Sequence, residues 1–345
     1  MIGFPRYSSW SRIWTLTIVW LMVGVWVLGL SQAKGPGLRE LAQQRRVLIG
    51  AAVEPNWLLE EPEYGQVLAR EFNLVVAENV MKWTSLQPDQ GQFNFVLADL
   101  LMNFAEKNKQ TVRGHTLVWH NQLPRWVYQL PKTELLPAMQ AHIQGVAGYF
   151  KGKIAYWDVV NEAIDDTAKP RETPFSAVPN YIEQAFRITR QADPAAKLFY
   201  NDYNIEGINP KSDAVYAMVK SLKAKGTPID GVGFQTHIDQ NFSPESVRMA
   251  ENLERFAKLG LEIHITEMDV KLIGSAPKAQ RLKAQAQVYR KVLEVCLKQP
   301  ACKVFTLWGF TDAHSWLSAS EPLIFDDLYQ PKPAYQALVE ALKKR

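Results

Sequence analysis

Eight apolar, strand-like runs recur along the chain, separated by amphipathic stretches. The runs are Val47–Ala52, Asn73–Glu78, Thr111–Trp119, Ile154–Ala163, Lys197–Asp202, Gly231–His237, Glu262–Glu267 and Lys303–Gly309. Helical periodicity fills the gaps, with apolar residues recurring three and four apart in Pro62–Phe72, Tyr181–Gln191, Ala279–Leu297 and Ala334–Leu342. A further helix is expected from Ser243-Pro244, a capping serine followed by proline at the first helical position. It would place Val247, Ala250, Leu253, Phe256 and Ala257 on one face.

Eight strands, each followed by a helix, imply a parallel sheet under helical cover. The fold class expected is α/β, a single (β/α)8 TIM barrel. Polar and aromatic residues crowd the strand C-termini: Glu78, His115, Trp119, Glu162, Asp202, His237, Glu267 and Trp308. A barrel explains this crowding, because its active site is built from those ends and the loops after them. An open doubly wound sheet is the alternative. It would ordinarily need no polar side chain at the end of every strand.

The first residues follow a different pattern. Arg6 and Arg12 precede an apolar run from Ile13 to Leu30, and Ser31-Gln32-Ala33 then supplies small residues before a cut. This is the pattern of a secretory leader. The expected division is therefore a signal peptide over 1–33 and a catalytic barrel over 34–345, with a secreted, extracellular product. The apolar run approaches membrane-spanning length. Retention as an N-terminal anchor is the alternative, and membrane association is expected only in that case.

Composition narrows the partners. The 345 residues are 47% hydrophobic and 21% charged, ordinary for a globular protein with a large core. The formal net charge is +4, and it is +2 without residues 1–33, which carry two arginines and no acid. So mild a balance argues against a nucleic-acid partner. The two cysteines, Cys296 and Cys302, stand close in an exported chain, where a local disulfide or two separate thiols are both open readings. Two cysteines alone make no zinc site.

The candidate chemistry lies in two glutamates. Glu162 ends the run Ile154-Ala-Tyr-Trp-Asp-Val-Val-Asn-Glu-Ala163, and Glu267 ends a strand about a hundred residues later. A carboxylate at the end of an apolar strand is costly unless hydrogen-bonded or given a task. Two carboxylates across a cleft can split a glycosidic bond, one protonating the leaving oxygen and the other attacking the anomeric carbon or activating water. A histidine held by Asp269, with His237 the candidate, could hydrogen-bond Glu267 and keep it charged. Asn161, beside Glu162, could bind a sugar 2-hydroxyl. Trp119, Trp308 and Trp316 fall at or just after strand ends, where their flat faces suit sugar rings, whereas Trp57, Trp126 and Trp157 read as core.

Other chemistries find less support. There is no glycine-rich phosphate loop of the usual form, no His-Glu-x-x-His pair and no serine in a nucleophile elbow. His115 and His120, five apart on strand-like sequence, would face opposite sides of a regular strand. His264, in mid-strand, reads as a core histidine. No metal and no cofactor are expected.

Together the motifs carry a resemblance. They are Ala77-Glu-Asn-Val-Met-Lys-Trp83, Arg113-Gly-His-Thr-Leu-Val-Trp-His120, Trp157-Asp-Val-Val-Asn-Glu162, Tyr200-Asn-Asp-Tyr-Asn204, Gly231-Val-Gly-Phe-Gln-Thr-His237, Ile265-Thr-Glu-Met-Asp269 and Leu307-Trp-Gly-Phe-Thr-Asp312 with Ser315-Trp316. In this order and spacing the chain resembles the glycoside hydrolase family 10 endo-β-1,4-xylanases, from about Leu38 to the C-terminus. The resemblance implies a (β/α)8 barrel that cleaves internal xylan linkages with retention, acting on xylan and xylooligosaccharides. It implies Glu162 as acid/base and Glu267 as nucleophile. Asn161, His115, Gln235 and His237 would surround the sugar at the cleaved bond, and Trp119, Trp308 and Trp316 would form its walls. Glu78, Asn79, Lys82 and Gln122 would bind the next sugar on the non-reducing side, with Tyr203 and Asn204 toward the leaving side. The Cys296–Cys302 spacing resembles a short disulfide found in part of the family. Asn121 and Phe310 depart from the residues common there, serine and valine, and leave fine specificity open.

A monomer is expected. One rival reading keeps the machinery but turns it on a β-1,4-glucan, if the cleft admits a hydroxymethyl group past Trp316 and Gln122. A non-catalytic xylan-binding barrel is the other, and loss of a catalytic carboxylate would be its mark.

Overall fold

The computed structural model describes residues 35–344. The expected leader, residues 1–33, lies outside the described residues. Among the described residues, no helix is long and apolar enough to cross a membrane.

The described residues form nine strands: β1 (Leu48–Val53), β2 (Leu74–Ala77), β3 (Thr111–Trp119), β4 (Tyr156–Asn161), β5 (Lys197–Asp202), β6 (Gly231–Phe234), β7 (His237–Asp239), β8 (Glu262–Lys271) and β9 (Cys302–Leu307). All their pairings are parallel. The sheet runs β6-β5-β4-β3-β2-β1-β9-β8, and a β6–β8 pairing closes it into an eight-stranded barrel. The buried core runs from Leu38 to Leu342, so the barrel carries its own hydrophobic interior.

Register decides which residues meet at the mouth. Trp119 pairs with Asn161, and Asn161 with Asn201, placing these three at one level on adjacent strands. Asn201 pairs in turn with Gly233, where a Cβ would stand 2.2 Å from the Asn201 Oδ1. Glycine at 233 thus makes room for that amide. Between the strands and their helices, a Cβ at Gly114 would lie 2.1 Å from the ring of the buried Trp157. Arg113 and Asp158 pair in the interior, both wholly buried, and His264 Nδ1 lies 3.0 Å from the same guanidinium. Removing one member of such a pair leaves an uncompensated buried charge and costs about 3–5 kcal/mol.

Two sequence expectations change. The helix expected from Ser243-Pro244 begins instead at Met249 and runs to Ala257. Ser243 does cap a turn, its Oγ accepting from Ser246 N–H at 3.2 Å, but Arg248 then adopts a left-handed φ of 57° and interrupts the helix. The buried face becomes Met249, Asn252, Leu253 and Phe256, and Ala250 is exposed. The sixth strand also stops early, at Phe234. Thr236 is left-handed (φ 67°), with its N–H donating to Glu206 Oε1 at 2.8 Å. His237 therefore belongs to a separate short strand, β7, which pairs with the far end of β8.

Cys296, near the end of the helix Lys278–Lys298, and Cys302, at the start of β9, form a disulfide with a Cα–Cα distance of 5.3 Å. The local pairing is one of the two readings open to the sequence.

Candidate active site

A cleft of about 520 Å³ opens at the C-terminal ends of the strands. Glu162 and Glu267 face it from β4 and β8, with Glu78, Asn79, Lys82, His115, Trp119, Asn121, Gln122, Asn161, Tyr203, Gln235, His237, Trp308 and Trp316 around them. Asn204 stands apart. Its side chain is exposed and does not line the cleft.

Glu162 follows the last residue of β4 in a left-handed conformation, φ 57°. The surroundings hold this backbone from three sides. Its N–H donates to the Asn201 carbonyl at 2.9 Å, its carbonyl accepts from Arg171 Nε at 2.8 Å, and the next N–H, of Ala163, donates to the Tyr200 hydroxyl at 3.0 Å. The carboxylate accepts from Trp119 Nε1 at 2.8 Å on one oxygen. The other accepts from Gln235 Nε2 at 3.0 Å and Asn161 Nδ2 at 3.2 Å. One edge of the group thus faces the cleft while the rest is fixed.

Glu267 has a different set of partners. Asn201 Nδ2 donates to its Oε1 at 2.6 Å, and His237 Nε2 lies 3.2 Å from its Oε2. His115 Nδ1 is 3.9 Å from the carboxylate and 3.0 Å from Asp158. Burial works against a charge here. The His237 hydrogen bond and the positive field of His115 and His237 outweigh it and hold the carboxyl below its ordinary range. His237 is itself opposed by burial but lies between two carboxylates, with Nδ1 2.8 Å from Asp269 Oδ2. Asp269 and Glu267 raise it to about 10. Asp269 also accepts from Trp316 Nε1 at 2.9 Å, tying the position of the exposed tryptophan to the histidine.

The two carboxylates are bridged by amides. Asn201 Nδ2 contacts both Glu267 and Asn161 Oδ1, the latter at 2.9 Å, and Gln235 Nε2 reaches Asn161 Oδ1 at 3.2 Å. A continuous run of amide hydrogen bonds therefore links the two glutamates.

The cleft continues on both sides. Lys82 Nζ donates to Asn79 Oδ1 at 2.9 Å and stands 5.0 Å from the Trp119 ring centre. Burial pushes Lys82 below its ordinary value, opposed by Glu267, Glu78 and Glu162. Burial raises Glu78 to about 7, with Lys82 opposing and Glu54 adding to the rise. Trp308, 7% exposed, is seated on Ala52 and Val76 as a wall. On the other side, Tyr203 donates to Asp166 at 2.7 Å and accepts from Arg171 Nη2 at 3.0 Å, and Lys211 Nζ lies 3.2 Å from its ring centre.

Sequence reasoning passed over four residues of this site. Asn201 and Asp158 are polar side chains buried within strands, and burial of a polar group in a strand is itself the signal that could have found them. Arg113 is a charged residue in an apolar strand and carries the same signal. Arg171 lies in the irregular stretch after β4, where spacing gives none. Among the described residues, no group of three or more His, Cys, Asp or Glu is arranged to hold a metal ion.

Paired glutamates in a barrel mouth, lined with tryptophan and amides, are the apparatus of a glycoside hydrolase. The chain belongs to the family described as Glycosyl hydrolase family 10, which it matches over residues 37–341. It is 45% identical over 320 residues to endo-1,4-beta-xylanase B of Thermotoga neapolitana, covering 89% of this chain and 92% of that protein. The exoglucanase XynX of Acetivibrio thermocellus is 39% identical over 313 residues, 86% of this chain and 28% of that much longer protein. Among solved structures, xylanase 10B of Thermotoga petrophila in complex with xylobiose superposes with a TM-score of 0.87 at 46% identity, covering 90% of this chain and 98% of that one.

Proposed function

We propose that the protein is an endo-1,4-β-xylanase that hydrolyses internal linkages of xylan by retaining double displacement. Glu267 attacks the anomeric carbon while Glu162 protonates the leaving oxygen. Glu162 then takes a proton from water, which releases the sugar from Glu267. The observation that carries this reading is the unequal setting of the two carboxylates. Glu267 is held charged by His237, as a nucleophile must be. Glu162 is oriented by Trp119 and Gln235 with its backbone fixed.

The remaining side chains then take roles. Asn161 hydrogen-bonds the 2-hydroxyl of the sugar at the cleaved bond. Trp119, Trp308 and Trp316 pack on sugar faces. Glu78, Asn79, Lys82 and Gln122 hold the neighbouring sugar on the non-reducing side, and Tyr203 meets the leaving portion. Relatives named as xylanases and a relative's structure with xylobiose support xylan as the substrate. We also propose that the barrel is exported by the N-terminal leader and acts as a monomer.

Reducing-sugar release from soluble xylan by residues 34–345, beside Glu267→Ala and Glu162→Ala, tests the assignment. Activity in the parent should be lost in the first variant and strongly reduced in the second. A β-glucan run in parallel separates the glucanase reading, which the exoglucanase among the relatives keeps in view. Release from the glucan with none from xylan would overturn the substrate while leaving the glutamates in place.

A further inference from the structure

The end of the barrel opposite the cleft carries a charge pattern that sugar hydrolysis does not use. The loops leading into β1, β3 and β4 contain Arg46, Lys109, Lys151 and Lys153, with Lys107 at the end of the helix Val96–Lys107 and Lys303 at the start of β9, all exposed. No Asp or Glu occurs in residues 45–48, 107–111, 150–156 or 298–303, and the exposed acids beside them, Glu40 and Glu106, are outnumbered by the cations. The strand order β4-β3-β2-β1-β9 sets these loops side by side, so the cations form one arc along the rim. None of the six has a carboxylate partner among the described residues. The rest of the same rim differs. There, Lys197 pairs with Glu262, Arg190 with Asp230 and Lys225 with Glu183. The barrel as a whole is nearly neutral, so the arc is a local excess balanced by acids elsewhere. An unpaired excess of cations attracts a surface of the opposite sign.

The arc also contains a receptacle. A concavity of about 580 Å³ is lined by Arg39, Gln43, Arg46, Asn73, Lys109 and Thr111. Arg39 is fixed there by donating to the carbonyls of Ala69 at 2.9 Å and Asn108 at 2.7 Å. Cations and neutral donors around a shallow hollow suit a phosphate group. The chain also reaches the barrel from this end. The Leu38 N–H donates to Glu71 at 3.0 Å, on the last residue of the helix Pro62–Glu71 that leads into β2. Only residues 31–37 separate Leu38 from the apolar run Ile13–Leu30. Where that run is retained as an anchor, its continuity with this end sets the face beside a bilayer and selects one kind of polyanion.

We propose that this rim is a docking face for anionic phospholipid bilayers, with lipid phosphates lodged in the hollow between Arg39, Arg46 and Lys109. Docked this way, the barrel turns its catalytic mouth away from the bilayer, toward polymer in solution. The inference is independent of which polysaccharide the cleft cuts.

Vesicle co-sedimentation with residues 34–345, which contain the whole barrel core, tests it. Vesicles of phosphatidylcholine alone are compared with vesicles containing phosphatidylglycerol, at rising salt. Binding is expected only to the latter and should fade with salt. Each Lys or Arg near such a surface contributes about 1 kcal/mol, so Arg46→Glu, Lys109→Glu and Lys153→Glu together should weaken binding on the order of a hundredfold. The control, Lys132→Glu, Lys220→Glu and Lys283→Glu, changes net charge equally at exposed sites away from the arc and should keep binding. Unchanged hydrolysis of soluble substrate by both variants shows that they are folded. No binding to either vesicle overturns the proposal, as does equal loss in both variants. Retention on an immobilised anionic polysaccharide with no vesicle binding would also overturn it and assign the arc to a wall polymer.

Discussion

His237 stands between two carboxylates, its Nε2 3.2 Å from Glu267 and its Nδ1 2.8 Å from Asp269. Glu267 is almost wholly buried, so its negative charge depends on this contact more than on water.

Replacing His237 with Asn removes both the hydrogen bond and the positive charge. The Glu267 carboxyl then rises, and the acidic limb of the kcat/KM profile moves to higher pH. A hydrogen bond to a charged group contributes about 1.5–3 kcal/mol, so kcat/KM near pH 6 should fall on the order of 10–100-fold. Stability follows the same contact with a defined sign. The histidine rises from 6.5 to about 10 on folding, so its contribution is complete below about 6.5 and disappears as pH climbs through about 10. The melting-temperature gap between parent and variant should narrow across that window.

Trp119 donates its indole N–H to Glu162 at 2.8 Å. Trp119→Phe keeps a flat ring but loses the donor. The expected result is a kcat about tenfold lower, as for loss of one charge-assisted hydrogen bond, with KM raised modestly by the smaller ring. Steady-state kinetics on xylooligosaccharides separate the two effects.

Arg171 acts through its neighbours. Its guanidinium donates to the Glu162 carbonyl at 2.8 Å and to the Tyr203 hydroxyl at 3.0 Å. It is a positioning residue for a glutamate whose backbone is left-handed. Arg171→Lys keeps the charge and loses the fork. Turnover on xylan should fall about tenfold, while KM changes less than about twofold. On an aryl xylobioside with an acidic phenol as leaving group, which needs little protonation, the deficit in the first step should shrink. An equal deficit on both substrates would mean that Arg171 supports the fold and not the proton donor.

The Cys296–Cys302 bridge closes a short loop between a helix end and β9. Chain-entropy bookkeeping for so small a loop gives about 2 kcal/mol. Cys296→Ser with Cys302→Ser should lower the denaturation midpoint by a corresponding amount without altering kcat, since both residues sit far from the mouth at the opposite end of the strand. Urea unfolding followed by tryptophan fluorescence measures it.

Much of this arrangement was legible because a parallel barrel aligns strand ends. An apolar run ending in Glu162 and another ending in Glu267 are enough to place both at one mouth, together with Trp119, His237 and Trp308. What sequence order conceals is lateral. Asn201 joins Asn161 to Glu267 because β4 and β5 are in a register that puts the three at hand, and register is set by the whole ring. Arg171 reaches back nine residues to the Glu162 carbonyl through a loop whose path no periodicity reports. The early end of β6 follows from Thr236 turning left-handed to meet Glu206, a contact between distant loops. Asn204, expected toward the leaving side, is exposed next to Tyr203 and outside the lining of the central cleft.

The central claim is that Glu267 forms the covalent bond to sugar while Glu162 handles the proton. A 2-deoxy-2-fluoro xylobioside with a good leaving group slows the second step and traps the intermediate. Mass spectrometry of the intact protein, followed by peptide mapping, then locates the label. One fluoro-xylobiosyl group per chain is expected, on the peptide containing Glu267. A label on Glu162, or hydrolysis with inversion and no label at all, would contradict it.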